Sequence, residues 1–271
     1  FDECHTISSY GNDFRPSYKK VSILRTVLDV PCIALTATAD SDTEEDVKNT
    51  LKLGQMNHDL LELKQFLDRP SIFYNSIRKS TNSKKQVIDI LSQFDKNETG
   101  IIYCTTVKAC ESLASFLYRQ GYSAKPYYSK LKVKQKEEIL SDWLDNKLNI
   151  VVATSAVGMG IDHPSVRFVI CYDMPGSVED LLQAVGRASR DGEPSQAYIL
   201  HDNKDINLWK FMFQKTVDRS NYKTRINKLN DVVKILRSKK CLREQIVSYF
   251  GQEYPDSNCG SCNNCINYKI K

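Results

Sequence analysis

Two features are missing from this sequence, a long apolar run and a phosphate-binding loop. No apolar stretch approaches the roughly 20 residues of a membrane span, and no signal peptide opens the chain, so we expect no membrane partner. The pattern Gly-x-x-x-x-Gly-Lys-Ser/Thr, which cradles nucleotide phosphates, does not occur. The chain begins without Met and inside a motif, so we expect it to belong to a longer protein.

Strong charge of either sign is missing too. The net charge of +5 over 271 residues is compatible with nucleic acid as a partner but is too small to demonstrate it. A hydrophobic content of 41% and a charged content of 26% are ordinary for a globular protein, and the length allows two compact units. Cysteine, in contrast, is well represented, with nine residues.

Five of the cysteines are scattered, whereas the other four form a pattern typical of metal ligands. Cys259, Cys262 and Cys265 are each separated by two residues, and Cys241 precedes them. Four thiolates suit a closed tetrahedral zinc site, which is structural because no coordination position stays open. An iron–sulfur cluster is an alternative, and disulfides are a third, although cysteines this close pair poorly. This distribution favours a reducing compartment.

The middle of the chain alternates between short apolar strands and amphipathic helices. We predict strands at Gly100–Cys104, Ala124–Tyr128, Ile150–Thr154, Arg167–Tyr172 and Ala197–Leu200, and helices at Val107–Gln120 and Val133–Trp143. Short buried strands separated by helices imply an α/β fold with a parallel sheet covered by helices on both faces. Such sheets bind ligands beyond the carboxyl ends of their strands, so we expect functional stretches directly after strands.

The flanking parts are less regular. Before the alternating region we predict a helix at Val21–Leu28, a strand at Pro31–Leu35 and a helix at Glu44–Leu53. Asp68-Arg69-Pro70 marks a break, because proline disfavours a helix immediately before it, and we place a domain boundary there. After it, His201–Lys240 has one apolar stripe and many basic residues, which indicates first a packed helix with a solvated face and secondarily a DNA-facing surface.

The stretch Gln183–Gly192 places two cations near each other. Arg187 and Arg190 lie three residues apart, at the end of a helix that Ser177 can cap with Asp180 at the capping-box position. Planar cations on one face suit a polyphosphate whose charge shifts during transfer, and such an arginine can be worth roughly 10³–10⁵ in rate. The alternative is a solvated basic helix end that the helix dipole favours.

Two stretches near the start could act with these arginines. Asp2 and Glu3 can hold Mg²⁺ and polarise an attacking water, although adjacent carboxylates are also commonly just solvated. Thr36 and Thr38 follow the predicted strand at Pro31–Leu35 and can relay hydrogen bonds from a phosphate site to neighbouring loops. The alternative is a plain helix start with Asp40 or Ser41 as N-cap.

Two further stretches could contact nucleic acid or nucleotide. A loop with Tyr10, Phe14 and Arg15 offers stacking faces and a cation to single-stranded bases, or packs on its own domain. The stretch Ala153–Asp162 follows a strand and contains glycines that permit close backbone approach, or simply a tight turn. Thr154 and Ser155 can donate to a phosphate, Gly160 is one of these glycines, and Asp162 can accept from a ribose or from a catalytic arginine.

These motifs resemble those of the RecQ family of DNA helicases. Asp2-Glu3-x-His5 precedes an aromatic loop that ends Asp13-Phe14-Arg15-Pro16, and in that family the loop couples DNA contact to ATP hydrolysis. The segment Leu35–Ala39 is similar to the motif that couples hydrolysis to unwinding. Further matches are Ala153–Asp162 to motif V, Gln183–Gly192 to motif VI, and Cys241-Leu242-Arg243 and Tyr249-Phe250-Gly251 to the zinc-binding subdomain.

The resemblance implies a RecA-like fold and an ATP-dependent 3′–5′ DNA helicase of recombination and repair, located in the nucleus. It implies Mg²⁺ with ATP, structural Zn²⁺, and DNA as single strands and duplex junctions. Residues 1–66 would end a first motor domain, 67–201 would form the second, and 202–271 the zinc-binding subdomain. A phosphate loop would lie upstream of Asp2. The implied catalytic residues are Asp2, Glu3, His5, Gln183, Arg187 and Arg190. Arg190 would be the arginine finger and Arg187 a second phosphate contact. Gly160 and Asp162 would bind ATP together with both arginines.

Several positions depart from the family pattern. Cys4 and Tyr10 stand for the usual Ala and Trp, Ala184 for Glu, and Ser189 for Gly. Asn12 replaces a His, and Ser129-Lys130 replaces the usual His-Ala-Gly. Two alternatives therefore stay open. One is a helicase that acts on RNA, and the other is a zinc-stabilised nucleic-acid-binding relic without catalysis.

Overall fold

A six-stranded parallel sheet lies at the centre of the structure, a computed structural model that describes residues 1–9, 20–28, 30–55, 59–154, 163–216 and 219–269. The strands are β1 (Ile72–Arg78), β2 (Thr99–Tyr103), β3 (Ala124–Tyr127), β4 (Ile150–Ala153), β5 (Val166–Cys171) and β6 (Ser195–His201). Their order is β1-β6-β5-β2-β4-β3, and every pair is parallel. The predicted parallel α/β sheet is confirmed, and all five predicted strands are present within two residues at either end.

Helices precede, cover and follow the sheet. Before it lie α1 (Thr6–Ser9), α2 (Val21–Val27) and α3 (Ser41–Leu51), and among the strands lie α4 (Ser83–Leu91), α5 (Val107–Arg119), α6 (Val133–Leu144) and α7 (Val178–Val185). The C-terminal part contains α8 (Asn203–Thr216), α9 (Arg219–Arg237), α10 (Leu242–Tyr249) and α11 (Asn263–Lys269). None of the helices in the described ranges combines the length and apolar content that crossing a membrane requires.

Two buried clusters show that both faces of the sheet are covered. Alternate residues of β5 belong to different clusters, with Val169 on one face and Phe168 on the other. Helices α6, α7, α9 and α10 pack on the Val169 face, whereas α4 and α5 pack on the Phe168 face. This is why β4, with the sequence Ile-Val-Val-Ala, is buried along its whole length.

The first strand of the sheet, β1, was not among the predicted strands. It is an edge strand whose polar centre, Asn75-Ser76, interrupts the apolar run. The C-terminal loop covers its free edge, since the Tyr74 amide donates to the Ser261 carbonyl oxygen at 3.1 Å and the Asn263 side chain donates to the Ser76 carbonyl oxygen at 2.8 Å. This loop thereby forms an isolated parallel β-bridge between Cys262 and Tyr74 at the outer edge of β1.

A buried arginine joins the start of β1 to the C-terminal part. The Arg243 side chain in α10 is 2% exposed and forms an ion pair with Asp68. Its guanidinium also donates to the carbonyl oxygens of Arg69 at 2.8 Å and Ile72 at 2.5 Å. The segment Asp68–Arg69 is thus held by α10. The predicted domain boundaries near residues 66 and 201 stay predictions.

The strand predicted at Pro31–Leu35 is wrong. This segment is extended, and Leu35 exchanges backbone hydrogen bonds with Phe1 and Cys4 at 2.8 and 3.0 Å. It forms no β-ladder in the described structure, and Leu35 is 57% exposed. The following helix begins at Ser41 because Asp40 caps it, its Oδ1 accepting the Thr43 amide at 2.8 Å.

We predict that Gly100→Ala destabilises the protein through one contact. A Cβ on Gly100 would lie 2.0 Å from the Phe168 ring, so either the ring or strand β2 must move. Overpacking of this kind costs about 1–3 kcal/mol of unfolding free energy, measurable by urea denaturation. Combining the change with Phe168→Leu should recover part of the loss, because the shorter side chain leaves room. Strict addition of the two losses would contradict this explanation.

Candidate active site and metal centre

A cleft of about 1170 Å³ lies between the N-terminal residues and helix α7. Seven of the predicted site residues line it, and they come from segments far apart in the sequence. Those on the N-terminal side are Asp2, Glu3, Thr36 and Thr38, and those on the α7 side are Gln183, Arg187 and Arg190. The structure therefore brings the acidic pair, the hydroxyl pair and the arginines to one cavity.

His5 connects the two sides of this cleft. Its side chain is buried, and its Nε2 accepts a hydrogen bond from the Gln183 amide nitrogen at 3.2 Å. An imidazole that accepts at Nε2 carries its proton at Nδ1, and Nδ1 lies 2.8 Å from the Thr36 hydroxyl, to which it donates. The Thr36 hydroxyl donates in turn to the Thr38 carbonyl oxygen at 3.0 Å. We call this chain of bonds, Gln183–His5–Thr36–Thr38, the cross-cleft relay.

The acidic pair adjoins the relay. Glu3 lies in the left-handed region, at φ 50°, where a side chain other than glycine is strained. Its carboxylate is 3.2 Å from His5 Nδ1, and its amide donates to Asp2 Oδ1 at 2.9 Å. The strained backbone thus aims Glu3 at His5 while Asp2 and Glu3 both face the cleft. Two carboxylates at the rim of such a cavity suit a hard divalent cation.

The opposite side is built on the end of α7. As predicted, Ser177 caps this helix, since its hydroxyl accepts the Asp180 amide at 3.1 Å. The chain then leaves the helix at Gly186, and Arg187 and Arg190 lie beyond it. Burial raises the pKa of the Tyr103 phenol, while the charges of both arginines and a hydrogen bond with Arg187 oppose that rise. The Arg187 side chain therefore contacts Tyr103, the last residue of β2, and both arginines line the cleft.

The expected position of the arginine segment relative to the sheet is wrong. The expectation that functional stretches directly follow strands would place Gln183–Gly192 at the carboxyl edge of the sheet. Instead α7 intervenes and returns the chain to the amino edge, where the Ser189 amide donates to the carbonyl oxygen of Val166, the first residue of β5. Thr154 does follow β4 at the carboxyl edge, and its amide donates to the Tyr127 carbonyl oxygen at 3.2 Å.

Sequence reasoning missed one residue that shapes the cleft. Arg69 lines it and donates to the carbonyl oxygens of Ala188 at 3.1 Å and Ser189 at 2.6 Å, which fixes the turn between the two arginines. Its signal was the break Asp68-Arg69-Pro70, interpreted only as a boundary. Of the predicted contacts, Tyr10, Phe14, Arg15, Ser155, Gly160 and Asp162 lie outside the described residues.

The four C-terminal cysteines meet at one point. The sulfur atoms of Cys241, Cys259, Cys262 and Cys265 all lie within 4.8 Å of one another. A tetrahedral zinc ion with Zn–S bonds of about 2.3 Å needs sulfur atoms about 3.8 Å apart, and Cys259 and Cys265 are separated by 3.9 Å. All the cysteines are free, which excludes disulfides, and the tight spacing leaves room for one ion rather than several irons with bridging sulfides.

Backbone amides support this cysteine cluster. The Glu244 amide donates to the sulfur of Cys241 at 3.4 Å, and the Ser261 amide donates to that of Cys259 at 3.3 Å. Amide donors stabilise negative charge on sulfur and orient the ligands. The donor set, spacing and surroundings therefore fit a structural Zn²⁺ ion.

We predict about one zinc ion per chain in freshly purified reduced protein, measured by elemental analysis. Cys262→Ser should release the metal and lower the thermal midpoint, because zinc binding contributes to folding. Cys110→Ser serves as the matched control, since it changes another buried cysteine outside the cluster and should keep the zinc. Iron, or no metal in the unaltered protein, would refute the assignment.

Comparison with known proteins gives matches along the chain. One family model, described as helicase conserved C-terminal domain, matches residues 82–192, and another, described as RecQ zinc-binding, matches residues 203–266. The Saccharomyces cerevisiae ATP-dependent helicase SGS1 is 34% identical, over 98% of this chain and 18% of its own length. The Arabidopsis thaliana ATP-dependent DNA helicase Q-like 2 is 36% identical, over 97% of this chain and 37% of its own length.

The chain thus spans well under half the length of these two relatives. Among solved structures, Saccharomyces cerevisiae Dbp5 bound to RNA and ADP BeF3 aligns with a TM-score of 0.61 at 18% identity, covering 86% of this chain and 62% of that one. At that identity the likeness concerns the fold, which is the RecA-like fold of helicases. A helicase C-terminal domain, a RecQ zinc-binding segment with its four cysteines in place, and relatives aligned over nearly every residue show that the chain belongs to the RecQ family.

Proposed function

We propose that the chain is part of an ATP-dependent DNA helicase of RecQ type, which couples ATP hydrolysis to 3′–5′ movement and unwinding in recombination and repair. The observation that carries this proposal is the cleft in which an acidic pair faces two arginines, spanned by the cross-cleft relay. Opposed carboxylates and guanidinium groups are the arrangement that phosphoryl transfer needs.

ATP would lie in this cleft together with Mg²⁺. Asp2 and Glu3 would hold the ion, which neutralises phosphate charge when bound, and Glu3 would also orient the attacking water. Arg187 and Arg190 would contact the phosphates from the opposite side, with Arg190 as the arginine finger. Guanidinium groups fixed in advance stabilise the charge that develops in the transition state without reorganising at that moment.

The cross-cleft relay would transmit the state of the nucleotide to the rest of the motor. Gln183 lies one turn before Arg187, so a shift of the arginines moves the Gln183 amide as well. The bond to His5 and the next bond to Thr36 carry that shift to the coupling segment Thr36–Thr38. The relay therefore explains why the hydroxyl pair, far from the arginines in sequence, belongs to the same site.

DNA would bind at the carboxyl edge of the sheet, away from the arginine segment. Thr154 lies at that edge, and Ser155 follows it in the sequence. Gly160 and Asp162, later in the same stretch, would contact ATP together with both arginines. The aromatic loop residues Tyr10, Phe14 and Arg15 would stack on bases of the single strand. Residues 1–66, 67–201 and 202–271 would form the end of one motor domain, the second motor domain and the zinc-binding subdomain. The protein would act in the nucleus.

We predict that Arg190→Ala in the full-length protein lowers DNA-stimulated ATP hydrolysis by about 10³-fold or more, because it removes charge stabilisation of the transition state. Binding of a single strand, measured by fluorescence anisotropy, should be unchanged. Arg119→Ala is the matched control, since it removes an exposed arginine from the end of α5 and should keep full activity. Substantial turnover in Arg190→Ala would show that this residue is not the finger.

The nucleic acid substrate can be tested directly. The full-length protein should unwind a DNA duplex with a 3′ single-stranded tail in the presence of ATP and should leave the matching RNA duplex paired. Preference for RNA would support the RNA helicase instead, and binding without unwinding or hydrolysis would support a non-catalytic nucleic-acid-binding role.

A further inference from the structure

One lysine of the C-terminal helices contacts elements from both sides of the cleft, α3 and α7. Lys228, in the middle of α9, has its Nζ 2.9 Å from Asp40 Oδ2 and also forms an ion pair with Glu179. The three side chains are only 12–14% exposed. The expectation that the basic residues of this helix simply face solvent is therefore wrong for Lys228.

The ammonium group is the shared counterion of two carboxylates. Burial by itself would raise the pKa of Asp40, but hydrogen bonds from Thr43 and the charge of Lys228 lower it to about 2. Burial would likewise lower the pKa of Lys228, and Glu179 and Asp40 reverse that effect. Without Lys228, two buried negative charges would face each other, and their repulsion would separate the elements that carry them.

Glu179 has little support other than Lys228. Its Oε1 accepts from Lys228 and from the Tyr249 hydroxyl at 3.2 Å, whereas its buried Oε2 has no hydrogen-bond partner among the described residues. Tyr249 belongs to α10, so the C-terminal part supplies both of these donors. A buried carboxylate with so few donors depends strongly on each of them.

The two carboxylates belong to the elements that carry the cross-cleft relay. Asp40 caps α3 and comes two residues after Thr38. Glu179 is in the first turn of α7, four residues before Gln183, so the two side chains lie on the same face one turn apart. The Lys228 ammonium group, held between Asp40 and Glu179, therefore fixes the distance between the two ends of the cross-cleft relay.

From this geometry we infer that Lys228 is a positioning residue, which holds the Thr36–Thr38 segment and the arginine helix α7 at the spacing that catalysis needs. The inference rests on the proposed ATP hydrolysis in the cleft. It gives the zinc-binding part a role in the reaction, because Lys228 of α9 and Tyr249 of α10 hold the two sides of the cleft together. Misplacement of catalytic groups by about 1 Å can cost about 10²-fold in rate.

The test is a double-mutant cycle in the full-length protein on DNA-stimulated ATP hydrolysis. Lys228→Met removes the ammonium and keeps most of the volume, and Asp40→Asn removes one charge and keeps an N-cap residue. Each change should lower kcat by about 10- to 100-fold with little effect on the KM for ATP, and Lys228→Arg should restore much of it. The double variant should be no slower than the slower single variant, because both break the same link. Losses that multiply would overturn the inference.

A matched control separates this role from simple stabilisation. Lys79 is also a buried lysine with two carboxylates, at 2.8 Å from both Asp173 and Asp205, but the elements that carry or precede these three residues, β1, β5 and α8, contribute no residue to the cleft lining, whereas α3 and α7 do. Lys79→Met should lower the thermal midpoint by at least as much as Lys228→Met and leave kcat within about twofold. An equal loss of kcat in both variants would show that Lys228 acts only through stability.

Hydrogen exchange tests the link without any activity. In the same protein, Lys228→Met should speed amide exchange in α3 and leave the buried strands β4 and β5 protected. Unchanged protection of α3, or an equal loss everywhere, would contradict the link. If the unaltered protein hydrolyses no ATP, the proposed function fails, and this measurement still decides whether Lys228 holds α3.

Discussion

A hydrogen bond between residues 178 positions apart, from the Gln183 amide to His5, determines how the candidate site is assembled. The carboxylates and the arginines belong to distant segments, and neither set could act on a phosphate alone. Joining them requires a partner that is buried, neutral and able to accept at one nitrogen while donating at the other, which is what imidazole provides. The strained backbone of Glu3 fits this view, since strain persists only where surrounding contacts enforce it.

Buried cations make further long-range connections. Lys79, Lys228 and Arg243 each meet at least two acceptors from other elements. Such ion pairs add little net stability compared with apolar packing, but losing one partner leaves an uncompensated charge in the interior. They therefore penalise any arrangement that separates the elements. This specificity suits a protein whose parts must return to one geometry after each movement.

Much of this structure could be predicted from the sequence, and the exceptions share a physical cause. The strands and helices of the sheet follow from local apolar patterns, and the zinc ligands follow from their spacing, because both signals lie within a few neighbouring residues. A search for alternating apolar residues misses strand β1 because the centre of the strand is polar. The structure accommodates that centre through Asn263, which donates to the Ser76 carbonyl oxygen. The roles of Arg69 and Lys228 depend on partners at least 49 residues away, and the local break at Asp68-Arg69-Pro70 marks the position of Arg69 but not its partners.

The edge of the sheet at β1 gives the metal centre a consequence beyond local folding. The loop between the second and third of the four clustered cysteines supplies the backbone that occupies the outer hydrogen-bonding groups of β1, at Tyr74. An edge strand stripped of such a cover is a template onto which another chain can add. Loss of the ion would therefore expose the outer edge of β1 to pairing with a second chain. Metal depletion would then lead to intermolecular β-pairing and insoluble protein rather than to a dispersed unfolded chain.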